Sequence, residues 1–124
     1  MNPGPDHLRL ISGVGAKGPA CFLLEVAGKR LMLDLGEGPP PGALPPIDGI
    51  GPIDALILSH GHKDHIGGLS LLGKLGNPPV YATASVAAGL PQHLEVRSLP
   101  AGDSVDVLGI EVTTGRNGHA PGGV

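Results

Sequence analysis

The stretch Ser59-His60-Gly61-His62-Lys63-Asp64-His65-Ile66-Gly67-Gly68 sets three imidazoles and a carboxylate into six consecutive positions, interrupted only by Gly61 and Lys63. A solvated polar loop is the ordinary explanation for such residues, yet half of the chain's six histidines crowd into this one segment. Neutral imidazole and carboxylate suit zinc, and a catalytic zinc takes three protein ligands while keeping one position open for water. Four donors exceed the need of a single ion, so two ions side by side fit the count. In an extended segment, alternation brings His60, His62 and Asp64 to one side and turns His65 away.

Working outward, residues 53–59 form a nearly continuous apolar run of strand length, the pattern of a strand buried on both faces. The donor cluster therefore starts at the carboxyl end of a central strand. On its other side Ile66, Leu69, Leu72 and Leu75 recur near helical spacing, and Gly76 followed by Pro78 supplies a stop. The helix is expected to start about Asp64 or His65, where its free N–H groups favour an anionic ligand.

Further out, residues 8–11 read as an edge strand that ends in the loop Ser12-Gly13-Val14-Gly15. Residues 20–26 and 29–35 make a hairpin across Ala27-Gly28, and the second run ends in Asp34-Leu35-Gly36. Residues 38–46 are too rich in proline and glycine for helix or central strand and must cross the surface. Strands are predicted over 80–82 and 94–99, a short helix over 84–88 behind Thr83, and a final β pair over 103–107 and 110–114 that turns at Leu108-Gly109. A Gly-rich segment, 115–124, carries His119.

Composition bounds the possibilities. A chain of 124 residues holds one domain and one core. Its 22 glycines and 14 prolines approach a disordered composition, but 40% hydrophobic residues in recurring apolar runs argue for a loop-rich globular fold. With one Tyr, one Phe and no Trp, bases have no stacking platform within this segment, and a net charge of -3 provides no basic surface for phosphate backbones. The single cysteine, Cys21, sits in an apolar run and reads as core filler. No basic leader precedes an apolar stretch and no run reaches the ~20 residues of a membrane helix, so the expectation is a cytoplasmic protein with no membrane partner. His7, His93 and Lys63 read as surface residues.

The unit His60-Gly61-His62-Lys63-Asp64-His65 resembles the metallo-β-lactamase superfamily, whose signature is His-x-His-x-Asp-His, and all four specified positions match. The resemblance extends to Asp34, placed after an early strand, and to His119 in a later Gly-rich segment. It implies an α/β (α+β) fold, a four-layer αββα sandwich of two similar halves with the metal site at one edge between the sheets. Residues 1–124 resemble the first half plus the start of the second, an incomplete domain cut after the third metal-ligand motif. The missing C-terminal half is expected to complete it.

By the same resemblance His60, His62 and His119 hold one metal, Asp64 and His65 bind the second, and Asp34 orients the ligand loop from behind. A later aspartate that bridges both metals and a later histidine have no counterpart here, so the first site can be complete and the second cannot. The implied chemistry is hydrolysis by zinc-activated water, with two ions in the complete domain, Asp64 orienting the nucleophile and no side-chain nucleophile needed. Manganese or iron are also compatible with these donors. The substrate, a small molecule or RNA, is left open among ester, thioester and phosphodiester; segments 16–21 and 118–123 look like the RNA-processing exonuclease branch. The competing reading is a non-catalytic half domain that at most binds metal.

Overall fold

The computed structural model describes residues 7–13, 18–100 and 102–115, with Lys63 described for its backbone alone. Six strands, β1 (His7–Ser12), β2 (Cys21–Val26), β3 (Lys29–Leu33), β4 (Ala55–Ile57), β5 (Val80–Ala82) and β6 (Val96–Ser98), lie in one sheet in sequential order. The first three pair antiparallel and β3 to β6 run parallel. A separate hairpin, β7 (Ser104–Val107) with β8 (Ile110–Thr113), packs on one face.

Turn chemistry makes both hairpins. Ala27 and Gly28 have φ of 50° and 76°, and Leu108 and Gly109 have 55° and 85°. Two consecutive positive φ values match the right-handed twist of the flanking strands.

Residues paired directly across a sheet share a face, so the register of β2 to β5 sorts the core into two layers. Leu23, Met32, Leu56 and Val80 form one row, covered by Leu72, Leu75, Val86 and Leu90 from the helical side. Leu24, Leu31 and Ala55 form the other, beneath Leu99 and Val107. Both layers converge on β4, where Ala55 and Leu56 are fully buried, as is Leu58 just beyond it. The central strand is the one expected, shortened at both ends.

β1 pairs with β2 alone, as an edge strand. It extends the second face outward through Leu8 opposite Leu24 and Leu10 opposite Phe22, and there Leu8 and Leu10 are 52% and 54% exposed. The β7–β8 hairpin covers the middle of this face and leaves its β1 margin bare.

The helix expected after the donor cluster is two pieces. A short α-helix, α1 (Lys63–Ile66), ends at Gly67-Gly68, and a 3₁₀ helix follows over Leu69–Leu75. Gly67 and Gly68 disfavour continuation, and the Gly68 amide bonds to the Leu35 carbonyl, 2.8 Å away, instead of to its own helix. Leu69, Leu72 and Leu75 recur every three residues, the period of the 3₁₀ helix that forms there. Gly76, with φ 83°, ends it as predicted. A further helix, α2 (Ala84–Ala87), follows Thr83. Among the described residues no helix is long and apolar enough to cross a membrane.

Candidate metal centre

The donor cluster lies beyond the carboxyl ends of β3 and β4, the edge at which open parallel sheets gather ligands. Asp34 follows β3 directly. Its amide bonds to the Ile57 carbonyl at 2.9 Å, prolonging the β3–β4 ladder by one residue, while its φ of 62° turns the chain out of the sheet. Aspartate tolerates this left-handed conformation better than most residues.

Asp34 is buried at 5% exposure, and its carboxylate is fully engaged. Oδ1 accepts from the Ser59 amide at 2.7 Å; Oδ2 accepts from the Ser59 hydroxyl at 2.7 Å and lies 2.6 Å from His65 Nδ1. This hydrogen bond, opposed by partial burial and reinforced by the charges of Asp34 and Asp64, holds the His65 pKa above the ordinary imidazole range. Asp34 thus lies behind the loop that carries the donors.

The backbone of that loop is gripped as firmly. The Asp64 carbonyl accepts from the Ala20 amide at 2.7 Å, the His65 carbonyl from the Leu35 amide at 2.8 Å, and Gly36 closes the set by donating to the Ala20 carbonyl at 3.0 Å. Chains approach so closely here that a Cβ on Gly36 would stand 1.8 Å from the Asp64 carbonyl oxygen, and one on Gly68 2.6 Å from that of Gly36. Glycine at both positions is a steric requirement.

One donor atom from each of His60, His62 and Asp64 lies within 4.8 Å of the others. Donor atoms this close are within reach of a single ion. Two imidazoles and a carboxylate are the donor types of a catalytic zinc, so the residues present fit the ion. His65 does not turn away from the trio as an extended segment would require. The chain is already helical from Lys63, which swings the His65 ring to 3.9 Å from that of His60 and sets its Nε2 3.6 Å from Asp64 Oδ2.

His119 lies outside the described residues. Gly115, at the end of the described chain, lines a cavity of about 360 Å³ together with Asp34 and Ser59. His93 is exposed, and His7 pairs with Glu25 at 3.2 Å on the far edge of the sheet. Cys21 is fully buried, and burial followed by the nearby Asp34 charge pushes its thiol up to about 12, an inert core residue.

Two residues near the donors escaped the sequence reading. The sequence places Ser59 at the end of a strand-length apolar run and gives Glu37 no role. Glu37 lines a cavity of about 390 Å³ with Gly38, Pro39, Pro41, His62 and Asp64, so the Pro-rich loop walls the mouth of the site. A short polar residue closing an apolar run just before a ligand motif is the signal that could have found Ser59.

The comparisons with known proteins agree with this geometry. Residues 14–123 match the family model of the metallo-beta-lactamase superfamily, and the chain belongs to that superfamily. It is 43% identical over 81 residues to cleavage and polyadenylation specificity factor subunit 2 of Oryza sativa subsp. japonica, covering 61% of this chain and 11% of that protein. It is 32% identical over 110 residues to ribonuclease J 1 of Streptococcus pyogenes serotype M3, covering 80% of this chain and 20% of that protein. Among solved structures the Rm3 metallo-beta-lactamase superposes with a TM-score of 0.63 at 26% identity, over 98% of this chain and 55% of that one. The chain thus spans a fifth or less of these curated relatives and about half of the solved enzyme.

Proposed function

We propose that the protein is a metal-dependent hydrolase acting through zinc-activated water, and that the bond it cleaves is an RNA phosphodiester. The convergence of His60, His62 and Asp64 at the sheet edge, braced from behind by Asp34, carries the hydrolytic reading. The relatives named as ribonuclease J 1 and as a cleavage and polyadenylation factor favour a phosphodiester over the ester or thioester alternatives.

In this reading His60 and His62, with His119, would hold one ion, and Asp64 with His65 would hold a second. Bound zinc supplies Lewis acidity that lowers the pKa of water from about 16 toward about 7. The protein's own contribution is positional. Asp64, half-exposed beside His62, accepts a hydrogen bond from the attacking water and orients it, and Asp34 keeps His65 in place. With a net charge of -3 and two aromatic residues, this segment has little with which to grip an RNA strand. We assign that task, and the ligands lacking here, to the remainder of a larger domain of which residues 1–124 form the first half, in the cytoplasm. Coverage of 55% of the Rm3 enzyme supports this division. The same coverage is the observation in favour of the second reading, a half domain that binds metal without turnover.

The test offers zinc-loaded protein a single-stranded RNA, an aryl phosphodiester and a thioester, with His62→Ala alongside. The expected result is phosphodiester cleavage that falls about 100-fold or more in the variant and on chelation. Thioester turnover alone would overturn the RNA assignment, and zinc binding with no turnover would leave the half-domain reading.

A further inference from the structure

We propose that Ser59 is a positioning residue that fixes the tautomer of His60, relaying the orientation of Asp34 so that Nε2 is the nitrogen presented to a metal. The proposal deepens the metal-site reading above, but its first test is made on metal-free protein and stands apart from it.

The assignment follows from counting protons. Asp34 Oδ2 lies 2.7 Å from the Ser59 hydroxyl and 2.6 Å from His65 Nδ1. A carboxylate oxygen only accepts, so the single hydroxyl proton of Ser59 is committed to Asp34, as is the Nδ1 proton of His65. Ser59 Oγ is then an acceptor towards everything else. His60 Nδ1 stands 3.0 Å from it. Two lone pairs at that distance repel, so His60 must carry its proton on Nδ1, which leaves the Nε2 lone pair as the donor. His65 Nδ1 is 3.4 Å from the same oxygen, but its proton is already spent on the carboxylate.

Geometry reinforces the logic. The Ser59 backbone is held beside the carboxylate by its own amide, which donates to Asp34 Oδ1 at 2.7 Å. One buried carboxylate therefore sets two imidazoles, His65 directly and His60 through a hydroxyl. Groups that orient a ligand in this way are typically worth about 10–100-fold in metal affinity.

The test is a long-range 1H–15N correlation spectrum of the histidine rings in metal-free protein at a pH of about 8.5, two units above the ordinary imidazole range. The expected pattern is a pure Nδ1–H tautomer for His60, lost in Ser59→Ala and restored in Ser59→Thr, whose hydroxyl can take the same place. An Nε2–H tautomer in the wild type, or an unchanged pattern in Ser59→Ala, overturns the proposal, and the wild-type spectrum decides even if the alanine variant does not fold. A zinc titration adds the second half: affinity is expected to fall about 10–100-fold in Ser59→Ala and recover in Ser59→Thr, and equal affinity in all three contradicts it. Wild-type protein that binds no zinc would sink the metal reading and leave the tautomer result to stand alone.

Discussion

At the amino ends of β3 and β4 an arginine and an aspartate meet; at the carboxyl ends of the same two strands an aspartate meets a serine and two histidines. In the first network Asp54 accepts from the Arg30 amide at 2.7 Å, its own amide donates to the Arg30 carbonyl at 2.8 Å, and the guanidinium donates to the carbonyls of Ile50 and Pro52, both at 2.8 Å. The cation is built in, and donors meet acceptors. In the second, Asp34 gathers the amide and hydroxyl of Ser59 and the ring of His65, with His60, His62 and Asp64 clustered just beyond. Among the described side chains no arginine or lysine takes part in these hydrogen bonds. A network closed by its own guanidinium is structural, whereas a cluster of imidazoles and a carboxylate has the donor atoms that could hold a metal ion.

The largest expected effect comes from breaking the carboxyl end through its backbone. A methyl group on Gly36 would collide with the Asp64 carbonyl at 1.8 Å. That carbonyl is held by Ala20 and cannot yield without unseating the donor loop. Gly36→Ala is expected to cost about 3 kcal/mol or more in urea unfolding, at the upper end for overpacking. A variant of wild-type stability would mean that the loop is far softer than its hydrogen bonds indicate.

A smaller effect is expected at the other end. Arg30→Met keeps the aliphatic stem and removes two hydrogen bonds from a charged donor, which should cost about 1–2 kcal/mol in the same unfolding measurement. Zinc content should not change, since the two networks lie at opposite ends of the strands. Loss of zinc on this substitution would erase the distinction between a structural and a functional end.

The sequence made the donor end legible because its chemistry is written in residue type. Three histidines and an aspartate at fixed spacing, directly after an apolar run of strand length, marked the donor cluster and the central strand together, and Asp34 was read at the end of the neighbouring strand. What stayed hidden depends on close approach of segments distant in the chain. Nothing in the sequence singles out the glycines at 36 and 68 until the Asp64 and Leu35 backbones are seen against them. The same contact, through the Gly68 amide, divides the expected helix. Ser59 was invisible for a related reason: a serine at a strand end has many uses, and only the joint proximity of Asp34 and His60 selects one. The turns at Ala27-Gly28 and Leu108-Gly109 were legible because their chemistry is local.

The most direct measurement is zinc content, by elemental analysis, of purified wild-type, His60→Ala, His62→Ala and His93→Ala proteins. All three substitutions remove an imidazole, but two lie in the cluster beyond β4 and the third on an exposed loop away from it. Zinc is expected to be retained by the wild type and His93→Ala and depleted in His60→Ala and His62→Ala. Equal zinc in all four proteins would contradict it.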